Sequence, residues 1–275
     1  MTALAGLLHH SGCRVTGSDG RLYPPTSTIL KQLGLEVHDG FDPAHLSPAP
    51  DLVVVGNAIS RGNPEVEELL DRRLAFTSMP RLIAERFLEG RHSIVVAGTH
   101  GKTTTASMLA WVLECAGREP GFLIGGAPAN FDNSFRIGRG EAFVIEGDEY
   151  DTAFFDKGPK FMHYRPDTAL LGTVEFDHAD IYGDVEQVMT VFRRFVNLVP
   201  RRGLLVCDGD SAMTRKVSVG AFSRVEEYGF ENGLWRATDF SEEEMGAVFR
   251  VQREGERFAD ISLRVSGKHN VRNAL

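Results

Sequence analysis

Ser93-Ile94-Val95-Val96-Ala97-Gly98-Thr99-His100-Gly101-Lys102-Thr103-Thr104-Thr105 is the stretch on which the fold turns. Residues 93–97 form a short apolar run, the pattern of a strand buried on both faces. Gly98 to Thr105 (GTHGKTTT) follows directly. Met108, Leu109, Val112, Leu113 and Ala116 then recur at helical spacing on one expected face, and Gly117 ends the pattern. Strand, glycine-bearing loop, Lys-Thr and helix is the order a phosphate-gripping loop needs. The glycines let backbone N–H groups wrap an anion, and the helix N-terminus adds partial positive charge. Lys102 has the reach for β- and γ-phosphates, and the Thr103 hydroxyl suits Mg²⁺. The strict GxxxxGK[ST] pattern is not met: Val96 stands where its first glycine would be, so this is a shorter variant opening at Gly98.

Such a loop requires a carboxylate at a neighbouring strand end to hold Mg²⁺. Phe143-Val144-Ile145-Glu146 supplies one, and Glu146 is the expected ligand. Glu149 and Asp151, in the acidic run that follows, read as solvated. Ala169 to His178 forms the next strand and its exit. Open parallel sheets bind ligands beyond strand C-termini, so Glu175, Asp177 and His178 are expected at the same crevice. His178, between Asp177 and Asp180, is a candidate for a second metal or a phosphate. Arg201-Arg202 reads as a solvated surface pair.

Outward from the loop, apolar runs and helical patterns alternate. Strands are expected at Arg14–Thr16, Leu52–Val55, Ser93–Ala97, Ala142–Glu146, Thr168–Thr173 and Leu204–Cys207. Helices are expected at Ala3–His10, Thr26–Leu33, Pro64–Arg73, Pro80–Glu89, Thr103–Ala116 and Val185–Leu198. The alternation predicts an α/β fold with a mostly parallel sheet and helices on both faces. Val217–Val265 alternates weakly and predicts a small antiparallel ribbon turning at Gly255. Glu89–His92 marks the expected boundary between domains 1–90 and 91–275. Both ends read as cut: the strand and glycine turn that open a nucleotide-type βαβ unit would precede Met1, and a helix capped by Asn270 is just starting where the chain stops.

The chain has 275 residues, 42% hydrophobic and 25% charged, with a formal net charge of −8. These are values of a globular protein and argue against a nucleic-acid partner, which needs excess Lys and Arg. Cys13, Cys115 and Cys207 lack metal-ligand spacing and read as reduced thiols. No stretch has the roughly 20 apolar residues of a membrane span, and the N-terminus lacks the pattern of a signal peptide, so no membrane insertion and a cytoplasmic location are expected.

GTHGKTTT, Glu146-Gly147-Asp148-Glu149-Tyr150-Asp151 and Glu175-Phe176-Asp177-His178-Ala179-Asp180 together resemble the Mur ligases, ATP-dependent amide-forming enzymes of peptidoglycan synthesis, and the resemblance covers essentially the whole chain. Three further features resemble one branch, which joins UDP-N-acetylmuramate to the tripeptide L-alanyl-γ-D-glutamyl-meso-diaminopimelate. They are Gly17-Ser18-Asp19 with Tyr23-Pro24-Pro25, the run Gly56 to Glu65 (GNAISRGNPE), and Tyr150 to Lys157 (YDTAFFDK) with Lys160-Phe161-x-His163-Tyr164. The alternatives are the branch that adds L-alanine and a nucleotide-binding fragment without ligase activity.

The resemblance implies a partial Rossmann-like, UDP-binding N-terminal domain, a P-loop ATPase-type central domain, and an absent C-terminal domain that brings the amine. It implies ATP and Mg²⁺ as cofactors, with UDP-N-acetylmuramate and a peptide or amino-acid amine as substrates. By position, Lys102, Glu146 and His178 match the catalytic residues, and Thr103, Glu146 and His178 the metal residues. Gly98, Thr99, His100, Gly101, Lys102, Thr103 and Thr104 match the ATP loop, and His269 and Asn270 match the GxHNxxN segment near the adenine. Ser18, Asp19, Asn57 and Asn130 fall where the acid substrate is held. Thr173 departs from the usual Asn of the family.

Overall fold

The structure is a computed structural model of the 275-residue chain and describes residues 1–176, 182–244 and 246–275. The first ninety residues alternate helix and strand: α1 (Thr2–His10), β1 (Thr16–Asp19), α2 (Thr26–Gln32), β2 (Glu36–Asp39), β3 (Val53–Val55), α3 (Pro64–Asp71), β4 (Phe76–Ser78) and α4 (Met79–Ile83). β1 pairs in parallel with β2, and β3 with β4, as two separate two-stranded sheets. α3 starts where its sequence demands. Asn63 accepts from the N–H groups of Glu65 and Val66, and Pro64 needs no donor at the first helical position; such a cap contributes about 1 kcal/mol.

Two boundaries in this part differ from expectation. β1 begins at Thr16, the last residue of the expected Arg14–Thr16 strand, because its pairing with Glu36–Asp39 and not an apolar pattern defines it. The Pro80–Glu89 helix is in fact α4 followed by a wider turn over Ala84–Leu88, where the Glu89 N–H reaches the Ala84 carbonyl five residues back at 3.1 Å.

The remaining elements are β5 (His92–Ala97), α5 (Lys102–Cys115), β6 (Gly121–Leu123), β7 (Phe135–Arg136), β8 (Ala142–Gly147), β9 (Asp151–Ala153), β10 (Asp156–Pro159), β11 (Thr168–Leu171), α6 (Val185–Asn197), β12 (Leu204–Asp208), α7 (Ala212–Ser218), β13 (Arg224–Gly229), β14 (Trp235–Glu243), β15 (Gly246–Arg253), β16 (Glu256–Leu263) and α8 (Lys268–Ala274). Among the described residues ten strands form one sheet in the order β16-β15-β14-β13-β12-β11-β5-β8-β6-β7. From β6 to β13 neighbouring strands run parallel, β7 returns antiparallel at one edge, and β14–β16 form an antiparallel meander at the other. The ribbon expected over Val217–Val265 is therefore only β14–β16, with its turn at Gly255. β13 joins the parallel sheet beside β12, and Val217 belongs to α7.

Alternation along the central strands divides the core. Val95, Ala97, Phe143, Ile145, Ala169 and Leu171 face one side with α6 and residues of α1 and α4, while Ile94, Val96, Val144 and Leu170 face α5 on the other. α6 buries Val188, Met189, Phe192, Phe195 and Val196 on one stripe, and Asp184 caps it by accepting from the Gln187 N–H at 2.9 Å. Each large apolar side chain so buried contributes roughly 1.5–3 kcal/mol. α5 meets the sheet through Ala106 and Ala110, whose small side chains permit close approach. Val112, expected on the buried face, is 61% exposed. The β9–β10 hairpin reaches the first ninety residues: Phe154 packs on the Leu46–Val55–Leu69 cluster, and Phe155 lies edge-on to Phe76.

Candidate functional site

In the four parallel strands β8, β5, β11 and β12, Gly147, Ala97, Leu171 and Cys207 stand in register at or one residue before the strand ends. Their exits therefore share one edge of the sheet, where the loop from Gly98 to Gly101 turns into α5. Gly98 and Gly101 have φ of +130° and +78°, a region that favours glycine. The loop is anchored to the β11 exit. The Thr99 N–H donates to the Thr173 carbonyl at 2.8 Å, and the Glu175 N–H donates to Thr99 Oγ1 at 2.9 Å. Backbone donors at the opening of a fourteen-residue helix give this edge the electrostatics of an anion site.

The loop's two functional side chains each meet a carboxylate from β8 or its exit. Lys102 Nζ donates to the Gly98 carbonyl at 2.8 Å and lies 3.0 Å from Glu149 Oε2. Thr103 Oγ1 donates to Glu146 Oε2 at 2.9 Å, and the Gly125 N–H donates to the other Glu146 oxygen. Burial pushes the Glu146 carboxyl above its ordinary value, against the pull of those two hydrogen bonds. A buried carboxylate held beside a hydroxyl is a hard-oxygen donor pair suited to Mg²⁺. Among the described residues no three His, Cys, Asp or Glu side chains converge as a metal cluster.

The loop borders a cavity of about 380 Å³. His100, Gly101, Lys102, Thr104, Gly172, Thr173, Glu175, Tyr228, His269, Asn270, Arg272 and Asn273 contribute to its walls. α8 forms one wall, and Asn273 sits so close over Gly101 that a Cβ there would lie 2.4 Å from its Oδ1. Thr173 Oγ1 donates to the fully buried Asp208 at 2.9 Å, and Arg272 of α8 lies 3.8 Å from Asp208 and 3.5 Å from Asp210.

The chain as a whole is similar to known proteins. Residues 96–275 match the Mur ligase middle domain, and residues 1–89 match the family described as Mur ligase family, catalytic domain. The chain belongs to the Mur ligase family. It is 44% identical to the UDP-N-acetylmuramate--L-alanyl-gamma-D-glutamyl-meso-2,6-diaminoheptandioate ligase of Escherichia coli (strain K12), over all of this chain and 60% of that protein. It is 33% identical to the UDP-N-acetylmuramate--L-alanine ligase of Geotalea daltonii, over all of this chain and 58% of that protein. The crystal structure of UDP-N-acetylmuramate:L-alanyl-gamma-D-glutamyl-meso-diaminopimelate ligase from Neisseria meningitides superimposes with a TM-score of 0.93 at 45% identity, covering all of this chain and 87% of that one. The chain spans about 60% of the length of the curated relatives it matches.

Within this Mur ligase chain the expected residues separate into three places. Gly98, Thr99, His100, Gly101, Lys102, Thr103, Thr104 and Glu146 form the loop and its acid, and His269 and Asn270 line the cavity from α8. Asn270 does not cap α8: Gly267, with φ of +98°, precedes the helix, and Asn270 Nδ2 donates back to the Ser266 carbonyl at 2.8 Å. Ser18, Asp19 and Asn57 lie outside the cavity lining, at and after the ends of β1 and β3. There Ser18 Oγ is 3.2 Å from His45 Nδ1, and Asp19 Oδ1 accepts from the Gly20 N–H at 2.8 Å. Asn130 lines a separate groove of about 700 Å³ with Trp111, Phe131 and Arg136. His178, with Asp177 and Asp180, lies outside the described residues.

Sequence reading passed over Glu149, which is not solvated: it is 3% exposed and ion-paired with Lys102. It also did not single out Asn273, the last Asn of the GxHNxxN segment, or Arg272. Asn273 had a signal, since it follows Asn270 by three residues and so shares its helix face. Arg272, Tyr228 and Asp208 had none, because they meet only when β12, β13 and α8 converge. No helix is long and apolar enough to cross a membrane among the described residues, and the three cysteines are unpaired.

The Glu146 shift has a measurable consequence. Because its folded-state value is raised, the folded protein holds a proton that the unfolded chain releases. Its contribution to stability therefore falls as pH rises from about 4.5 through the raised value. Glu146→Gln should melt at a higher temperature than the parent at pH 7–8, with the advantage gone below about pH 4.5, the unshifted value. Thermal denaturation between pH 4 and 8 checks this, and an advantage that grows towards acid would reverse the assignment.

Proposed function

We propose that this chain is the nucleotide- and acid-binding part of an ATP-dependent ligase that joins UDP-N-acetylmuramate to the tripeptide L-alanyl-γ-D-glutamyl-meso-diaminopimelate. The observation that carries the reading is the convergence of Lys102, Thr103 and Glu146 where the strand exits meet the N-terminus of α5. Lys102 and the loop N–H groups would grip the ATP phosphates, and the α8 wall with His269, Asn270 and Asn273 would take the nucleoside end. Thr103 and Glu146 would hold Mg²⁺, which offsets negative charge on the transferring phosphoryl group when bound.

In the proposed reaction a carboxylate oxygen of UDP-N-acetylmuramate attacks the γ-phosphorus, and the bond to ADP breaks. The amine of the second substrate attacks the acyl carbon, phosphate leaves with the bonding pair, and the nitrogen loses a proton to solvent. The loop's part is positioning and charge balance, which account for most of the acceleration in phosphoryl transfer. Greater identity to the tripeptide ligase of E. coli than to the alanine ligase of G. daltonii favours the tripeptide as amine.

Two measurements test the reading. Calorimetry of this chain should show Mg²⁺-ATP binding at millimolar nucleotide or below, and no heat at that concentration would contradict the nucleotide site. Phosphate release by the full-length protein with UDP-N-acetylmuramate should depend on the tripeptide. Turnover with L-alanine in its place would move the chain to the alanine-adding branch.

A further inference from the structure

We propose that Glu149 is a positioning residue: its carboxylate occupies the Lys102 ammonium at the cavity wall until nucleotide displaces it. The inference rests on the nucleotide reading above and concerns how the site loads. Lys102 Nζ has three N–H bonds and four acceptors around it: the Gly98 carbonyl at 2.8 Å, the Thr99 carbonyl at 3.4 Å, and Glu149 Oε2 and Oε1 at 3.0 and 3.2 Å. An ammonium so surrounded has no donor left over for an incoming phosphate oxygen. Only 13% of the Lys102 side chain and 3% of the Glu149 side chain is exposed, so water is a poor substitute partner for either.

One of these acceptors has to let go, and the backbone decides which. The two carbonyls belong to the loop, itself tied to the β11 exit through the Thr99 N–H and the Thr173 carbonyl at 2.8 Å. The Glu149 main chain is fixed separately, its carbonyl accepting from the Tyr182 hydroxyl at 2.7 Å. A carboxylate on a side chain has rotatable bonds that the main-chain carbonyls of an anchored loop lack, so the Glu149 contact is the one Lys102 exchanges while the loop keeps its shape. Charge favours the same exchange. The end and exit of β8 carry Glu146, Asp148 and Glu149, and Asp148 is matched by Lys160 at 3.0 Å. A phosphate approaching Lys102 meets the Glu149 carboxylate as a like charge competing for one cation.

Titration of this chain with Mg²⁺-ATP in a calorimeter, for the parent, Glu149→Asp and Glu149→Gln, tests the proposal, with thermal denaturation to confirm that each variant is folded. Glutamine keeps the shape and an acceptor oxygen but not the charge, so it should bind nucleotide about fivefold tighter, or roughly 1 kcal/mol at 1.4 kcal/mol per factor of ten. Aspartate draws the carboxylate back by one methylene and should fall between glutamine and the parent. A residue that merely braced the fold would not tighten binding when replaced. Affinity unchanged or weakened in Glu149→Gln overturns the proposal. If that variant does not fold, unchanged or weaker binding by Glu149→Asp does the same. Absence of binding by the parent is a different failure, because it sinks the nucleotide site itself.

Discussion

Lys102→Ala should lose about a hundredfold or more in ATP affinity while keeping the α/β fold. The size follows from one ammonium's charge-assisted hydrogen bonds to phosphate, at about 1.5–3 kcal/mol each, set against 1.4 kcal/mol per factor of ten. The substitution also removes the cation beside Glu149, which is 3% exposed. Taking one partner from a buried ion pair costs more than taking both, because the charge left behind has lost its water as well as its counter-ion. A stability loss of about 1–3 kcal/mol is expected, within the range for an under-satisfied buried group. The double variant Lys102→Met with Glu149→Gln removes both charges and should recover most of that stability without recovering binding. Calorimetry with ATP and thermal denaturation read the two effects separately. Near-parental affinity in Lys102→Ala would remove the loop from the proposed site.

Gly101→Ala is expected to have the second-largest effect, and for two independent reasons. At φ of +78° an L-side chain is strained, by roughly 1–2 kcal/mol per residue held in that region. The new methyl would also sit 2.4 Å from Asn273 Oδ1, so the Asn273 side chain has to leave its place over the loop. Asn273 is the end of a flexible side chain and can move, so the second cost falls on the cavity more than on folding. A drop of about 1–2 kcal/mol in stability should accompany at least a tenfold loss of ATP affinity, estimated from a displaced wall residue and misaimed loop amides. Gly158→Ala is the control. Its Cβ would approach only Asp156 Oδ1, at 4.0 Å, and should leave both quantities near the parent's. Equal behaviour of the two alanine variants in denaturation and calorimetry would show that the loop's left-handed turn is not needed.

Much of the site was readable because its residues are neighbours along the chain. A phosphate loop is a local object: β5, the turn at Gly98–Gly101 and the opening of α5 are consecutive, and each follows from composition and spacing. Glu146 was readable for a related reason. It ends an apolar strand, and parallel pairing of β8 with β5 carries strand ends to one edge. Gly117 likewise stops α5 as expected, with φ of +69° and the Arg118 N–H returning to the Leu113 carbonyl at 2.9 Å.

What was not readable depends on distant partners. Glu149 and Glu146 are three residues apart in one acidic run, and nothing in that run says that Glu149 is buried, that its carbonyl accepts from Tyr182 or that its carboxylate is paired to Lys102. β13 holds Arg224, Glu226 and Glu227, a polar composition that reads as surface, yet its backbone completes the ladder of β12. Val112 has the right spacing for the buried face of α5 and is exposed, because the helix touches the sheet through its alanines.

The amino-acid sequence by itself determined that this is an α/β chain of the Mur ligase type with a glycine-bearing strand-to-helix turn at Gly98–Gly101, since strand periodicity, glycine placement and helix caps act within a few residues of one another. Only the tertiary structure decided that Glu149 faces Lys102, that Asn273 closes over Gly101, and that Thr173 is spent on Asp208. Those contacts join residues from 35 (Thr173 and Asp208) to 172 (Gly101 and Asn273) positions apart. Burial and ion pairing at such separations are set by how helices and strands pack, and local composition carries no record of that packing.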